Sequence, residues 1–560
     1  MSTPALQLFQ SHWPRAKRWR RPMLSGESLI LVTSAWFVLA CNGPFWGALV
    51  DRGVGPALQA SLAFAIFGLH AILLGVVGVG RLLRPLLATL LIVTAIVSDA
   101  MQRYGVVFDV DMVRSVLQTD PAEVHEMFNL SIVVRTLLLG VLPAIAVFAV
   151  QPRRLDWRRS LRHRVLFLFA MLALTVAALA PVSQGVFALM RADPSLRYRI
   201  TPGNYIVSAA RALKQDEVAR LGPPTPIATD ARRPSTTRAT RPRVLVLVIG
   251  ETVRADHWGL NGYQRQTTPR LAARDDIINF SDVTACGTST AVSLPCMFSI
   301  YGRARYDRTA IATHESLLAL LARLGIKTLW RDNQAGCKGV CDGLEEESMP
   351  ILHAEDPRCG QGRCLDETLL DGLAERIQAT DQDQVIVLHQ LGNHGPNYFE
   401  RYPPEFARFQ PPCQREELDQ CSREEIINAY DNAILYTDTM LDRVIELLAS
   451  DPSRDSAMLY VSDHGESLGE YGVYLHGAPW AVAPEAQIKV PMVVWLSPGL
   501  ESDTGVDHAC VRQHASEPRS HDDLFHTVLG LFDVSTSEYR ATNDVLAACR
   551  TTQIHAPSSR

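Results

Sequence analysis

The chain has no basic excess. Its 54 Lys and Arg are outnumbered by 59 Asp and Glu, for a net charge of −5, and that balance excludes the electrostatic footprint of a nucleic-acid-binding protein. Internal repeats and low-complexity tracts are missing, which sets aside solenoids and disordered scaffolds. Cysteine is nearly absent from the first 200 residues, where Cys41 stands alone, while the other ten lie between Cys286 and Cys549. No small-residue cleavage site follows a short apolar core near the N-terminus. The first apolar segment therefore reads as a retained anchor rather than a removed signal peptide.

What is present is apolar at one end and mixed at the other. Hydrophobic residues make up 47% of 560 and crowd into the first third, so a membrane half and a soluble half are expected. Five segments approach the ~20 apolar residues that cross a bilayer as a helix: 27–50, 57–79, 85–101, 130–150 and 165–190. The third is the shortest and ends at Ser98-Asp99. Lys and Arg cluster before the first (Arg15, Lys17, Arg18, Arg20, Arg21), between the second and third (Arg81, Arg84) and between the fourth and fifth (Arg153, Arg154, Arg158, Arg159, Arg162, Arg164). The positive-inside bias then puts the N-terminus in the cytoplasm and everything past residue 190 outside. Trp36, Phe37, Phe45 and Trp46 suit a membrane–water interface.

The expected organisation is a five-helix transmembrane domain (1–190) with an outer loop (102–129), a connecting helix and Pro/Thr/Arg-rich linker (191–242), and a soluble α/β domain (243–560). In the soluble part, short apolar runs at 244–249, 326–330, 384–389, 457–461 and 490–496 alternate with helical patterns at 315–324, 365–378 and 424–449. That alternation predicts a mostly parallel sheet with helices on both faces. The ten cysteines beyond the membrane half fall in near pairs, reading as 286–296, 337–341, 359–364 and 413–421, with 510–549 left over. A structural zinc site built from Cys337, Cys341, Cys359 and Cys364 is the competing reading.

The chemistry sits where strands end. One apolar run stops at Gly250-Glu251-Thr252 and another at Asp463-His464-Gly465-Glu466, and parallel sheets bind ligands beyond the carboxyl ends of their strands. Glu251, Asp463 and His464 supply oxygen and nitrogen ligands of the kind Zn²⁺ takes. Between them lies a run of hydroxyls bracketed by cysteines, Cys286 to Cys296, in which Thr290 is the candidate nucleophile. A metal-bound hydroxyl loses its proton at neutral pH, and Thr290 could lead into a helix whose N-terminal amides favour phosphate. His394 and His476, each before a glycine, are candidates for a second metal or for the substrate phosphate.

Val248-Ile249-Gly250-Glu251-Thr252-Val253-Arg254-Ala255-Asp256-His257, the Cys286–Ser299 stretch, Trp330-Arg331-Asp332-Asn333, Gly336-Cys337-Lys338-Gly339-Val340-Cys341, His394-Gly395-Pro396, Ser462-Asp463-His464-Gly465-Glu466-Ser467-Leu468-Gly469-Glu470 and Ser520-His521-Asp522 resemble the lipid A phosphoethanolamine transferases, the family that includes the colistin-resistance enzymes. The likeness runs over nearly the whole chain. It implies an alkaline-phosphatase-like fold in a monomer of the bacterial inner membrane, with the catalytic domain in the periplasm. One zinc, with a second left open, would be held by Glu251, Thr290, Asp463 and His464. Thr290 would take phosphoethanolamine from phosphatidylethanolamine, release diacylglycerol, and pass the group to a lipid A phosphate, weakening polymyxin binding. The same resemblance assigns His394, His476 and Lys338 to the donor phosphate or a second zinc, and Thr119 and Glu123, in the loop 109–129, to the ethanolamine end. The chain departs from the family pattern at Ser115, where asparagine is expected, at Gln334, where a second asparagine is common, and at Asn393, where serine is usual. Transfer to a core sugar or periplasmic glucan, glycerophosphate transfer as in lipoteichoic acid synthases, and a non-catalytic sensor are the alternative readings. The Cys286–Cys296 bracket weighs against glycerophosphate transfer, and the intact ligand set against a sensor.

Overall fold

A computed structural model describes residues 23–551, apart from 120, 128, 154–155, 220–221, 234–240, 361 and 416. Arg15, Lys17, Arg18, Arg20, Arg21 and Arg154, counted above for topology, lie outside the described residues. The chain forms two compact units. The first comprises residues 1–41, 54–96 and 135–186; the second comprises 42–53, 97–134 and 187–560.

Among the described residues, four helical stretches are long and apolar enough to cross a membrane: Pro56–Val77, Gly80–Tyr104, Leu130–Ala149 and Trp157–Ala192. A fifth crossing exists if the bent pair α1 (Gly26–Trp36, continued by a π-helical turn to Cys41) and α2 (Gly43–Asp51) counts as one. The sequence suggests one continuous span at 27–50, but the pair bends by 50°. The cause is Asn42, a buried N-cap followed by Pro44. Its side-chain amide exchanges hydrogen bonds with the backbone of Thr201, at 2.8 and 2.9 Å, which a continuous helix would not orient. The third span outruns its 85–101 estimate, because Asp99 and Arg103 pair one turn apart (3.4 Å) and let the helix continue through Tyr104. In the first unit, α3 (Pro56–Val77) packs on the helix Trp157–Leu179 through small residues. A Cβ added at Gly68 would lie 2.3 Å from Thr175 Oγ1, the close approach that membrane helices use. Leu39, Phe64, Leu69, Leu138, Leu142, Phe169 and Leu172 remain exposed, as a lipid-facing surface requires.

The second unit is built on an eight-stranded sheet. In chain order its strands are β1 (Arg243–Gly250), β2 (Ile277–Thr284), β3 (Lys327–Asp332), β4 (Glu345–Ser348), β5 (Gln384–His389), β6 (Asp455–Ser462), β7 (Lys489–Leu496) and β8 (Arg519–Ser520). They lie in the order β8-β2-β7-β6-β1-β5-β3-β4, and only β7 runs against the rest. Every residue of β1 is buried, as a central strand covered on both faces must be. Leu245, Leu247 and Ile249 enter one core and Val244, Val246 and Val248 the other, following the two-residue alternation of a strand. The predicted helix 365–378 is instead a 3₁₀ turn (Asp366–Leu370) and a short α-helix (Leu373–Gln378), separated at Gly372, whose φ is 66°. The long helix Arg423–Ala449 begins in a capping box between Ser422 and Glu425.

Two further pieces of this unit bear on the site. Residues 97–134 contribute α4 (Val110–Gln118) and α5 (Pro121–Glu126), and the connector forms α6 (Gly203–Ala219). All five expected cysteine pairs are disulfides, so no zinc is held by thiolates of Cys337, Cys341, Cys359 and Cys364.

Candidate active site

Register brings the strand ends together. Ser462 on β6 lies opposite Gly250 on β1, and Ile249 opposite His389 on β5. Glu251 and Asp463 therefore leave neighbouring strands side by side. The chain then turns sharply. Thr252 takes φ of 57°, a left-handed conformation that costs a β-branched residue about 1–3 kcal/mol. The turn is held from three sides: Thr252 N–H donates to Asp463 Oδ1 (3.2 Å), Val253 N–H to Ser462 Oγ (2.8 Å), and Tyr430 O–H to the Thr252 carbonyl (2.6 Å). Gly392 completes the close packing, since a Cβ there would lie 2.9 Å from the backbone of Glu251.

Thr290 arrives from β2 as the first residue of the helix Thr290–Met297, with Ser289 at the N-cap. Its hydroxyl is 3.2 Å from each Glu251 carboxylate oxygen and 3.4 Å from His464 Nε2. Ser293 on the same helix donates to the Asp463 carbonyl at 2.5 Å. His521, just past β8, accepts from Cys286 N–H (3.1 Å) and donates from Nε2 to the Ser462 carbonyl (2.9 Å). Those contacts fix the helix Thr290–Met297 against β6.

The donor set could hold a cation. Glu251, Asp463 and His464 are fully buried, and their ligand atoms lie within 4.8 Å of one another. Burial pushes both carboxyls above their usual range, and for Glu251 the neighbouring Asp463 adds to it. His464 donates Nδ1–H to the Gly465 carbonyl (2.9 Å), which leaves the Nε2 lone pair 3.2 Å from Asp463 Oδ2 and 3.4 Å from Glu251 Oε1. Burial, with His476 next, holds the His464 imidazole down at about 3, so a proton on Nε2 does not relieve the repulsion. Among the described residues, none donates a hydrogen bond to Asp463 Oδ2. Converging lone pairs from two carboxylates, an imidazole and a hydroxyl fit Zn²⁺ in a four-coordinate site, and a bound cation would reverse the upward carboxyl shifts.

The cleft over Thr290 is lined by Ser115, Gln118, Ser289, Ala291, Gln334, Ala335, Lys338, His394 and His476. Four of the predicted site residues thus share one wall: Thr290, Lys338, His394 and His476. The His476 ring centre is 4.5 Å from that of His464 and 5.5 Å from that of His394. Burial, with His476 next, pushes His394 well below the usual imidazole value. Lys338 adopts φ of 52° and donates Nζ–H to the Ala335 carbonyl (2.7 Å). Thr119 caps α4 and donates its hydroxyl to the Ser115 carbonyl (2.8 Å); it is not among the cleft-lining residues. Glu123 lies on α5, and its side chain is outside the described residues.

Three partners escape sequence reasoning. Glu466 accepts from Tyr398 O–H (2.6 Å) and pairs with His476 Nδ1 (2.8 Å), which presents His476 Nε2 outward. Gln334 donates Nε2–H to Glu251 Oε2 at 3.1 Å. Asp332 pairs with His389 (2.7 Å) and accepts from Gln334 and Gly336 N–H, holding the turn that carries Gln334. Glu466 follows the Asp463-His464 motif by two residues, a signal that could have drawn notice. The Gln334 contact depends on the register of β3 against β5 and β1, which no local pattern reveals.

The model described as "Phosphoethanolamine transferase EptA/EptB" matches residues 66–216, and the "Sulfatase" model matches 243–534. The chain is 37% identical over 540 residues to Phosphoethanolamine transferase EptA of Salmonella typhimurium, covering 95% of this chain and 98% of that protein. It is 38% identical over 537 residues to Phosphatidylethanolamine transferase Mcr-1 of Escherichia coli, covering 93% and 97%. The solved integral membrane lipooligosaccharide phosphoethanolamine transferase A (EptA) of Neisseria meningitidis superposes with a TM-score of 0.91 at 36% identity, over 95% of this chain and 100% of that one. The fold is thus a set of N-terminal membrane helices followed by a sulfatase-type, alkaline-phosphatase-like domain.

Proposed function

The chain belongs to the EptA family of phosphoethanolamine transferases, and from that premise we propose that it moves phosphoethanolamine from phosphatidylethanolamine to a phosphate of lipid A by way of a phospho-threonine on Thr290. The observation that carries this reading is the convergence of the Thr290 hydroxyl on Glu251 and His464 at the mouth of a cleft lined by Lys338, His394 and His476.

Glu251, Asp463, His464 and the Thr290 hydroxyl would hold the zinc. When bound, it supplies Lewis acidity that lowers the hydroxyl's pKa and offsets charge on a phosphoryl oxygen. In the first half-reaction Thr290 Oγ1 bonds to the donor phosphorus and the bond from phosphorus to the diacylglycerol oxygen breaks. The proton that Thr290 Oγ1 loses is balanced by the one the departing diacylglycerol oxygen takes up, by way of solvent in the cleft. In the second, an oxygen of the acceptor phosphate bonds to the same phosphorus, the bond from phosphorus to Thr290 Oγ1 breaks, and Oγ1 takes a proton from the acceptor phosphate or solvent to restore the hydroxyl. Lys338 places a compact cation beside the phosphate. His476, oriented by Glu466, offers Nε2 to a phosphoryl oxygen or to a second cation. A lipid acceptor agrees with a chain whose N-terminal helices are apolar enough to cross a membrane.

Mass spectrometry of lipid A from a host expressing the chain or its Thr290→Ala variant tests the reading. A phosphoethanolamine-sized addition with the wild type, lost by at least 10³-fold with Thr290→Ala at equal membrane abundance, is expected. Addition persisting with Thr290→Ala removes Thr290 as nucleophile. Absence of addition with the folded wild type moves the acceptor off lipid A, and core oligosaccharide is then the fraction to analyse.

A further inference from the structure

Among the described side chains of helix α5, the buried contact is a charge, and Met127 just beyond the helix packs on the core. Of the helix's described side chains, Pro121 and Val124 are exposed and only Glu126 is buried. The Glu126 carboxylate accepts from Arg401 Nη2 at 2.5 Å and stands 3.7 Å from Arg363 Nε. Both arginines are buried too, at 4% and 8% exposure. The other edge of the Arg401 fork donates from Nε to the His394 carbonyl at 2.7 Å. One planar guanidinium therefore joins α5 to the residue that lines the cleft over Thr290.

The preceding helix is tied down in the same manner. Arg114 of α4, fully buried, donates to Asp216 (3.2 Å) and Gln215 (2.7 Å) of α6. Between the two charged anchors, Ser115 and Gln118 face the cleft. An apolar contact tolerates sliding, whereas a guanidinium–carboxylate fork is directional and fixes both distance and rotation. Removing the carboxylate would take from the buried Arg401 its charged partner, a loss that destabilises the docking of α5.

We propose that Glu126 is a positioning residue for the donor: through Arg401 it fixes the end of the α4–α5 segment against His394, and so the placement of Ser115 and Gln118 across the cleft from His394, where the donor's phosphate–ammonium headgroup would enter. This rests on phosphatidylethanolamine being the donor. Glu126 touches no reacting atom in this role. Its removal should weaken donor capture more than it slows chemistry.

The test uses the full chain in nanodiscs of defined phosphatidylethanolamine content, comparing wild type, Glu126→Gln and the milder Glu126→Asp. Amide hydrogen exchange over residues 121–127 is expected to quicken at least ten-fold in Glu126→Gln, with residues 290–297 unchanged. Diacylglycerol release should show KM for the donor raised ten-fold or more and kcat lowered less than three-fold, with Glu126→Asp between. Unchanged exchange overturns the anchor, and this readout needs no catalysis. Faster exchange with unchanged KM, or a loss confined to kcat, reduces the pair to a structural contact and overturns the positioning role. A wild type that releases no diacylglycerol refutes the donor assignment itself, while the exchange result still decides whether Glu126 anchors α5.

Discussion

Gln334 occupies a position where the family commonly has asparagine, and the extra methylene lets its amide reach Glu251 Oε2 at 3.1 Å. Burial raises the Glu251 carboxyl, Asp463 raises it further, and hydrogen bonds from Thr290 and Gln334 pull it back down. Protons and a metal ion compete for the same carboxylate. Removing the amide favours the proton. Gln334→Ala should therefore weaken zinc binding by about 10–100-fold and move the pH below which metal is released upward, because the carboxylate has lost a donor to its charged form. Gln334→Asn falls between, since the shorter side chain cannot keep the contact without shifting. Zinc competition titrations at several pH values on the purified full chain measure both effects. Affinity within two-fold of wild type would show that Glu251 is held by its other partners. Of the four proposed ligands, Glu251, Asp463 and His464 were legible because each stands at a strand end, and Thr290 because it lies in the hydroxyl run between Cys286 and Cys296. Gln334, Glu466, Arg401 and Glu126 were not, because their partners are set by register and packing between distant segments.

At the scale of elements, the disulfides differ in what they constrain. Cys510–Cys549 closes 39 residues and Cys337–Cys341 only 4. In the chain-entropy account their loss costs about 4 and about 2 kcal/mol respectively. The double alanine variant at 510 and 549 should accordingly lower the melting midpoint of the full chain more than that at 337 and 341. The reverse ranking would mean that local packing around the Cys337–Cys341 turn outweighs loop entropy. β1, β3, β5, β6 and β7 were readable as short apolar runs. β2 was missed because Asn279, Ser281 and Asp282 interrupt its pattern, and these side chains are partly or fully outside the core. β4 was missed because it reads Glu-Glu-Glu-Ser. It is an edge strand whose glutamates pair with Arg331 and Arg376 (2.8 Å each), so charge pairing across neighbours replaces the apolar signal. The helix at 365–378 failed because Gly372 turns left-handed between two halves, a choice that composition alone did not reveal.

For the whole molecule, topology turns on the bent pair α1–α2. If it crosses the membrane once, five crossings separate the N-terminus from residues past 192; if it folds back, only four do. Two independent arguments favour the odd number. Arginine-rich stretches at 15–21, 81–84 and 153–164 belong on the cytoplasmic side, and five disulfides between Cys286 and Cys549 belong on an oxidising one. Four crossings would put the N-terminal arginines and the disulfides on the same side. Single-cysteine accessibility decides it, because Cys41 is buried and every other cysteine is bridged. Gly53→Cys should react with a membrane-impermeant maleimide in intact cells, whereas Arg159→Cys and Ser2→Cys should react only after permeabilisation. Labelling of Ser2→Cys in intact cells would make α1–α2 re-entrant. The positive-inside argument would then fail at its first segment while still holding for residues 81–84 and 153–164, whose sidedness the Arg159→Cys result fixes independently.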